Sequence, residues 1–246
     1  MKTILKIKLL FCMLIICVCS PDRVYADKEI IFSTDGSGIL SEISVSVLEE
    51  AYHQLGIKIS YKALPPYRAL QMSNSGKMDG EMNRIAGLEK EFKNLIQVPV
   101  PINSVENVAF TKNLRFTIDG WESLRPYSLS IKRGIKIVER GTQGMKRTVV
   151  PKSEQGFFML NKGRVDIVIN SRILGLITLS EMKLNNIRIL EPPLIKIDLY
   201  HYLHKKHQHL AEPVTNILRK MEREGRIAEI RKNAITHIES VYRKVP

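Results

Sequence analysis

The chain has 246 residues, with 38 lysines and arginines against 25 aspartates and glutamates, and a formal net charge of +13. All three cysteines, Cys12, Cys17 and Cys19, lie near the amino terminus, so the rest of the chain has no disulfide, thiolate metal site or cysteine nucleophile. The basic residues are scattered and are not interleaved with aromatic residues, which argues against a nucleic-acid partner.

The first 26 residues have the three zones of a cleavable export signal. Lysines precede an apolar run from Leu9 to Val18, and Val24-Tyr25-Ala26 matches a signal-peptidase site. A membrane-spanning helix needs about 20 apolar residues, and this run is too short for one. We therefore predict cleavage after Ala26. Lipoprotein processing at a cysteine at the end of the run is the alternative, and the bulky residue before each such cysteine disfavours it.

The segment after the signal predicts alternating strands and helices. Residues 29–34 form an apolar run that ends at a glycine-rich turn, which indicates a strand. Apolar residues between 40 and 55 then recur at helical spacing up to Gly56, and residues 57–63 alternate like a second strand. This order predicts a βαβ unit and a parallel sheet.

The remaining elements repeat this pattern. After Pro65-Pro66, the sequence predicts a short helix over 67–75 and a strand over 77–82. A helical segment is predicted over 155–160, and two amphipathic helices separated at Gly225 end the chain. Further strands are predicted over 108–111, 127–132, 165–169 and 187–190. The order indicates an α/β fold with two lobes.

Three short motifs carry a resemblance to a known family. They are Gly-Lys-Met-Asp at 76–79, Gly-Arg-Val-Asp at 163–166 and the run at 221–230. In this order they resemble the periplasmic solute-binding proteins of family 3, the polar amino-acid type. The resemblance implies the type 2 periplasmic-binding-protein fold, in which two lobes, each a sheet flanked by helices, are joined by two hinge strands and close on ligand.

The family's lobe order also implies domain boundaries. The export signal is 1–26, lobe 1 is 27–110 plus 204–246, and lobe 2 is 111–203. The hinge crossings are expected near 110–113 and 199–203.

The predicted ligand site lies at strand ends of both lobes. Open α/β folds hold ligands at the carboxyl ends of their parallel strands. Tyr67 follows two prolines where the family often places an aromatic ring against the ligand. The residues that we predict to bind ligand are Thr34, Asp35, Tyr67, Asn83, Arg84, Arg133, Gly134, Asn170 and Ser171.

Two charged groups that the family uses to hold an α-amino acid are absent. The segment 87–91 lacks the threonine and arginine that hold the carboxylate. Ser171 stands where the family has an aspartate for the α-ammonium. We therefore predict a small polar or anionic ligand other than a standard amino acid, held by Arg84 and by Arg133, since a guanidinium group binds carboxylates bidentately.

The function that the resemblance implies is solute capture in the periplasm for an ABC importer. The expected partners are a small-molecule ligand and an inner-membrane permease, and the chain is expected to be a monomer without a cofactor. A cyclohexadienyl-dehydratase-like enzyme of the same fold and a sensor input module are the alternatives. No catalytic set is recognisable, so we predict no enzymatic activity. Four histidines between 201 and 209 are expected to diverge along a hinge strand, so we predict no metal site.

Overall fold

A computed structural model describes residues 29–34, 36 and 38–243. The predicted export signal and Asp35 lie outside these residues. The strands are β1 (Ile30–Thr34), β2 (Ile59–Ala63), β3 (Gly80–Arg84), β4 (Leu95–Thr111), β5 (Leu129–Lys132), β6 (Arg147–Val150), β7 (Ile167–Ser171) and β8 (Arg188–His204). The helices are α1 (Ile39–His53), α2 (Pro66–Asn74), α3 (Lys136–Gly141), α4 (Ser153–Asn161), α5 (Arg172–Glu181), α6 (Gln208–Arg223) and α7 (Arg226–Arg243).

The strands form one mixed sheet in the order β2-β1-β3-β8-β4-β7-β5-β6. The two long strands, β4 and β8, pair antiparallel with each other and run through both halves of the sheet. On one side of them lie β3, β1 and β2, and on the other lie β7, β5 and β6. This mixed α/β architecture confirms the predicted fold class. No helix in the described part of the chain has both the length and the apolar character needed to cross a bilayer.

Each half of the sheet has its own apolar core. In the first half, Phe32 and Met82 pack with residues of α1 and α6, including Leu48 and Leu218. In the second half, the buried side chains come mainly from β4, β5, β7 and the helices α4 and α5. Burying a side chain of this size stabilises the fold by about 1.5–3 kcal/mol. Leu40 and Ile43 of α1 pack into the second core, so the two halves also share apolar contacts.

The crossing between the halves falls inside the long strands. Phe110 pairs with Val168 of β7 and its ring packs edge-on against Phe157, so Phe110 already lies in the second half. The β4–β8 register shifts between Gln97 and Asn103, before β7 joins β4 at Asn107. We therefore propose crossings nearer to 99–106 and 195–200 than to the predicted 110–113 and 199–203.

The two Gly-x-x-Asp motifs have one structural role in both halves. Asp79 accepts a hydrogen bond from the backbone N–H of Ile31, at 2.7 Å, at the start of β1. Asp166 accepts one from the backbone N–H of Ser128, at 2.8 Å, just before β5. Hydrogen bonds from Ser128 also lower the pKa of the Asp166 carboxyl. Each aspartate therefore fixes the start of the neighbouring parallel strand.

A cluster of ion pairs lies where the two halves meet. Glu106 of β4 accepts from Arg172, the first residue of α5, at 2.6 Å, and from Arg231 of α7 at 3.3 Å. Arg172 also makes two hydrogen bonds to the carboxylate of Glu191 in β8. The cluster thus joins the carboxyl-terminal helix to both long strands and to the second lobe.

Replacing Glu106 by glutamine is expected to lower the free energy of unfolding by about 1–3 kcal/mol, because two poorly hydrated guanidinium groups lose their shared counter-ion. The side chains of Glu106, Arg172 and Arg231 are less than one fifth exposed. Urea denaturation measures the change. The matched control is Glu122→Gln, which breaks the exposed pair with Arg125 and should change stability by about 0.5 kcal/mol or less. Equal effects of the two substitutions would contradict this role of the cluster.

Candidate functional site

A cavity of about 210 Å³ lies between the two halves of the fold. Of the described residues that line it, ten are apolar and four are polar. Leu40, from the first turn of α1, and Ile85, just after β3, close it from the first lobe. Val105 and Ile197 belong to the crossing strands β4 and β8, and the remaining lining residues come from the second lobe or from these strands. The cavity is therefore built by both lobes and both crossings.

The four polar lining residues are Lys132, Asn170, Ser171 and Asn107. Lys132 ends β5, and Asn170 and Ser171 end β7, which runs parallel to β5. Asn107 lies on β4, directly opposite Ser171. The carboxyl ends of parallel strands meet at one edge of a sheet, so the strand order brings these side chains to one mouth of the cavity.

These polar groups have hydrogen-bonding capacity that the described residues do not use. The Asn170 side-chain oxygen accepts from the backbone N–H of Ser171 at 2.8 Å, whereas its amide nitrogen has no partner among them. Within the same described part of the chain, no hydrogen bond or ion pair is formed by the side chains of Asn107, Ser171 or Lys132. Lys132 is exposed and Asn170 is half-buried. The unused donors and acceptors are therefore open to a polar group of a ligand or to water.

Of the predicted ligand-binding residues, Asn170 and Ser171 line the cavity. Thr34 and Asn83 are buried beside α1, where the Thr34 hydroxyl shares a hydrogen bond with Ser41 at 2.9 Å and the Asn83 amide donates to Ser44 at 2.8 Å. Both side chains thus tie strands of the first lobe to α1.

Three other predicted residues lie outside the cavity lining. Tyr67 is 70% exposed on α2, and its hydroxyl accepts from Gln71. Arg133 is exposed just after β5. The backbone N–H of Gly134 donates to the Glu139 carboxylate at 2.8 Å, in a turn where φ is +89°.

Arg84 is engaged in an ion pair within the first lobe. Its Nε donates to Glu81 at 2.8 Å, and its Nη2 lies 3.4 Å from the carbonyl oxygen of Pro66. Glu81 is fully buried and also accepts from the hydroxyls of Ser33 and Ser73. Burial raises the pKa of the Glu81 carboxyl, and the charge of Arg84 opposes that rise. Arg84 is absent from the described cavity lining, and a contact between it and ligand stays a prediction.

Sequence reasoning missed Lys132 and Asn107. The sequence predicts the end of β5 correctly at Lys132 but assigns ligand contacts to the two residues after it, Arg133 and Gly134. In the structure the last residue of the strand, Lys132, lines the cavity. Asn107 lies in a mostly polar stretch of β4, 103–107, so no sequence pattern singled it out.

The histidines between 201 and 209 have separate structural contacts. The Nδ1 atom of His201 faces the carbonyl oxygen of Glu81 at 2.8 Å and must donate to it, so Nε2 accepts from the Tyr52 hydroxyl at 2.9 Å. Burial lowers the pKa of His201 to about 4. His207 instead lies 2.7 Å from Asp79. Among the described residues, no group of three or more potential metal ligands gathers in one place.

Comparison with known proteins gives a sequence relative and structural neighbours. No protein-family model matches the chain. A protein of Shewanella oneidensis, described as an uncharacterized protein, is 33% identical over 195 residues, which cover 73% of this chain and 70% of that protein.

Solved structures that share the fold include binding and sensor domains. The second substrate-binding domain of a putative amino acid ABC transporter from Streptococcus pneumoniae superposes with a TM-score of 0.65 at 16% identity, over 84% of this chain and 99% of that one. Substrate-binding domain 2 of Lactococcus lactis GlnP gives 0.65 at 16% identity, over 83% and 94%. A histidine kinase sensor domain similar to periplasmic binding proteins gives 0.58 at 15% identity, over 84% and 95%. The chain therefore belongs to one family with the Shewanella oneidensis protein and has the two-lobed fold of the periplasmic solute-binding proteins.

Proposed function

We propose that this chain is an extracytoplasmic solute-binding protein that captures a small molecule between its lobes. The observation that carries the proposal is the cavity, whose lining comes from both lobes and from β4 and β8, the two strands that connect them. Rotation of the lobes about two connecting strands opens or closes such a cavity, and a bound solute stabilises the closed arrangement.

We propose that the chain delivers the captured solute to an ABC importer. The structural neighbours include substrate-binding domains of amino-acid ABC transporters, and the export signal predicted over 1–26 would bring the chain to the periplasm. A sensory role is the second candidate, supported by the histidine kinase sensor domain with the same fold.

We propose binding without turnover. The polar groups that line the cavity in the described part of the chain are two amides, a hydroxyl and a lysine. Histidine and carboxylate side chains, which most often transfer protons in catalysis, are not among these lining residues. This composition supports a binding site over a dehydratase-like active site.

Filling the cavity tests the proposal without disturbing either core. Leu174 of α5 lines the cavity and is 37% exposed. We expect Leu174→Trp to abolish solute binding, because the ring occupies the space that the solute needs. The measurement is a thermal-shift screen of the mature chain against charged, polar and apolar metabolites, with native mass spectrometry for co-purified molecules.

The matched control for Leu174→Trp is Phe158→Trp, at an exposed apolar residue of the same lobe outside the cavity, which should leave binding unchanged. Unchanged binding in Leu174→Trp would contradict the proposed site. A wild-type chain that binds no compound and carries no molecule would contradict the proposed function.

A further inference from the structure

We propose that the cavity takes a small monoanion with an apolar body, such as a short aliphatic carboxylate, and that Lys132 is its counter-ion. This inference rests on the proposed function and names the class of solute that the same site would select. It is carried by the charges, the polar groups and the size of the cavity.

One side of the cavity carries a positive charge that no described carboxylate neutralises. Among the described lining residues Lys132 alone is charged, and no carboxylate in the described part of the chain pairs with it. The nearby Lys136, by contrast, contacts Glu139 at 3.1 Å. An anion that enters the cavity therefore meets a lysine whose charge no described residue neutralises. The attraction strengthens as water leaves, because the effective dielectric falls.

The polar groups next to Lys132 suit the oxygens of a carboxylate. In the sheet, Ile131 lies beside Ile169, so Lys132 is level with Asn170 on the next strand. Asn107 lies beside Ser171 one strand further on. Lys132 and Asn170 thus form one row across β5 and β7, Ser171 and Asn107 form the next row across β7 and β4, and all four residues line the cavity. A carboxylate can accept several hydrogen bonds at once, and such charge-assisted bonds are the strong ones.

The rest of the cavity suits an apolar body of limited size. Its other described lining residues are leucine, isoleucine and valine, among them Ile85, Val105, Ile135, Leu174 and Ile197. The volume of about 210 Å³ lies below the range of about 300–1,000 Å³ that is typical of larger ligands. The site therefore favours a compact aliphatic chain or a single ring.

The same composition disfavours an α-amino acid. An α-ammonium group needs a carboxylate or several acceptors to replace its water, and burial without them is costly. Ser171 stands at the position where the family has an acidic residue for this group, and no described lining residue is acidic. A carboxylate is thus expected to bind more tightly than the amino acid with the same side chain.

Calorimetry with three probes of one carbon skeleton tests the inference: isocaproate, its neutral amide, and leucine, which adds the α-ammonium. For the wild-type chain we expect isocaproate to bind at least about tenfold more tightly than the amide or leucine, by the strength of hydrogen bonds to charged groups. Lys132→Met should weaken isocaproate binding by about 10- to 100-fold and leave the amide unaffected. The matched control, Lys136→Met, should change neither.

Three results would overturn the inference. The first is unchanged isocaproate affinity in Lys132→Met, and the second is tighter binding of leucine than of isocaproate. The third is that the wild-type chain does not bind isocaproate but binds another solute, and that Leu174→Trp abolishes the binding of that solute. In each of these cases, if Leu174→Trp still abolishes the binding of a solute, the proposed function of solute capture stands and only the solute class is wrong. Failure of the solute class is therefore distinguishable from failure of the proposed function.

Discussion

Replacing Gly80 by alanine is expected to lower the free energy of unfolding by about 3 kcal/mol or more, the largest effect of any single methyl group that we predict for this chain. Gly80 pairs with Leu203 where β3 meets β8, in the middle of the first lobe. A Cβ atom there would lie 2.0 Å from the carbonyl oxygen of Tyr202. The obstacle is backbone, so no change of rotamer relieves the clash and the two strands must separate.

Urea denaturation monitored by circular dichroism measures the effect of Gly80→Ala. The matched control is Gly163→Ala, at the first residue of the Gly-x-x-Asp motif in the second lobe, where φ is +66° and no heavy atom lies within 4 Å of the added Cβ. It should cost only the left-handed backbone penalty, about 1 kcal/mol. If Gly80→Ala is no more destabilising than Gly163→Ala, the close approach of β3 and β8 is wrong.

The second large effect is a loss of stability in acid that is due to His201. This histidine is fully buried, and burial lowers its pKa from 6.5 to about 4. Below pH 6.5 the unfolded chain therefore takes up a proton that the folded chain does not. The contribution is present in full above pH 6.5 and is lost as the pH falls from 6.5 towards 4. Linkage gives about 2 kcal/mol of the loss by pH 5 and about 3 kcal/mol below pH 4.

His201→Gln should flatten this pH dependence. The glutamine amide can replace both ring contacts, because its nitrogen can donate to the Glu81 carbonyl and its oxygen can accept from Tyr52. We expect the variant to be less stable than wild type at pH 7 and to lose about 2 kcal/mol less between pH 7 and pH 5. Denaturation curves of both proteins at both pH values give the difference in their pH dependence. The titration of other groups cancels in this difference because both proteins share it. Parallel pH profiles of the two proteins would contradict the assignment.

The elements that the sequence predicted well are those with a clear periodicity. The helical spacing over 40–55 became α1 (Ile39–His53), and the apolar run at 165–169 became most of β7 (Ile167–Ser171). The order of the motifs led to the two-lobed fold. These features are local, because one buried face repeats every 3.6 or every 2 residues along the chain.

Other elements depend on contacts that are distant in sequence. The strand predicted over 187–190 continues through Pro192-Pro193 to His204, because β4 pairs with it on both sides of a register shift that takes up the two prolines. Helix α5 was not predicted. Gly175 in its middle lowers helix propensity, but a Cβ there would lie 2.3 Å from the ring of Phe110, so the tertiary packing needs the glycine.

The candidate site also has one part that the sequence predicted and another part that only the tertiary structure shows. The sequence by itself determined the fold class and placed Asn170 and Ser171 at the carboxyl end of a strand, and both residues line the cavity. Only the tertiary structure decided which cation faces the cavity, since Arg84 is paired with a buried carboxylate and Lys132 lies level with Asn170. The physical reason is that periodicity depends on neighbours along the chain. Which charges are paired, and which polar groups are left for a ligand, depends on how distant strands align.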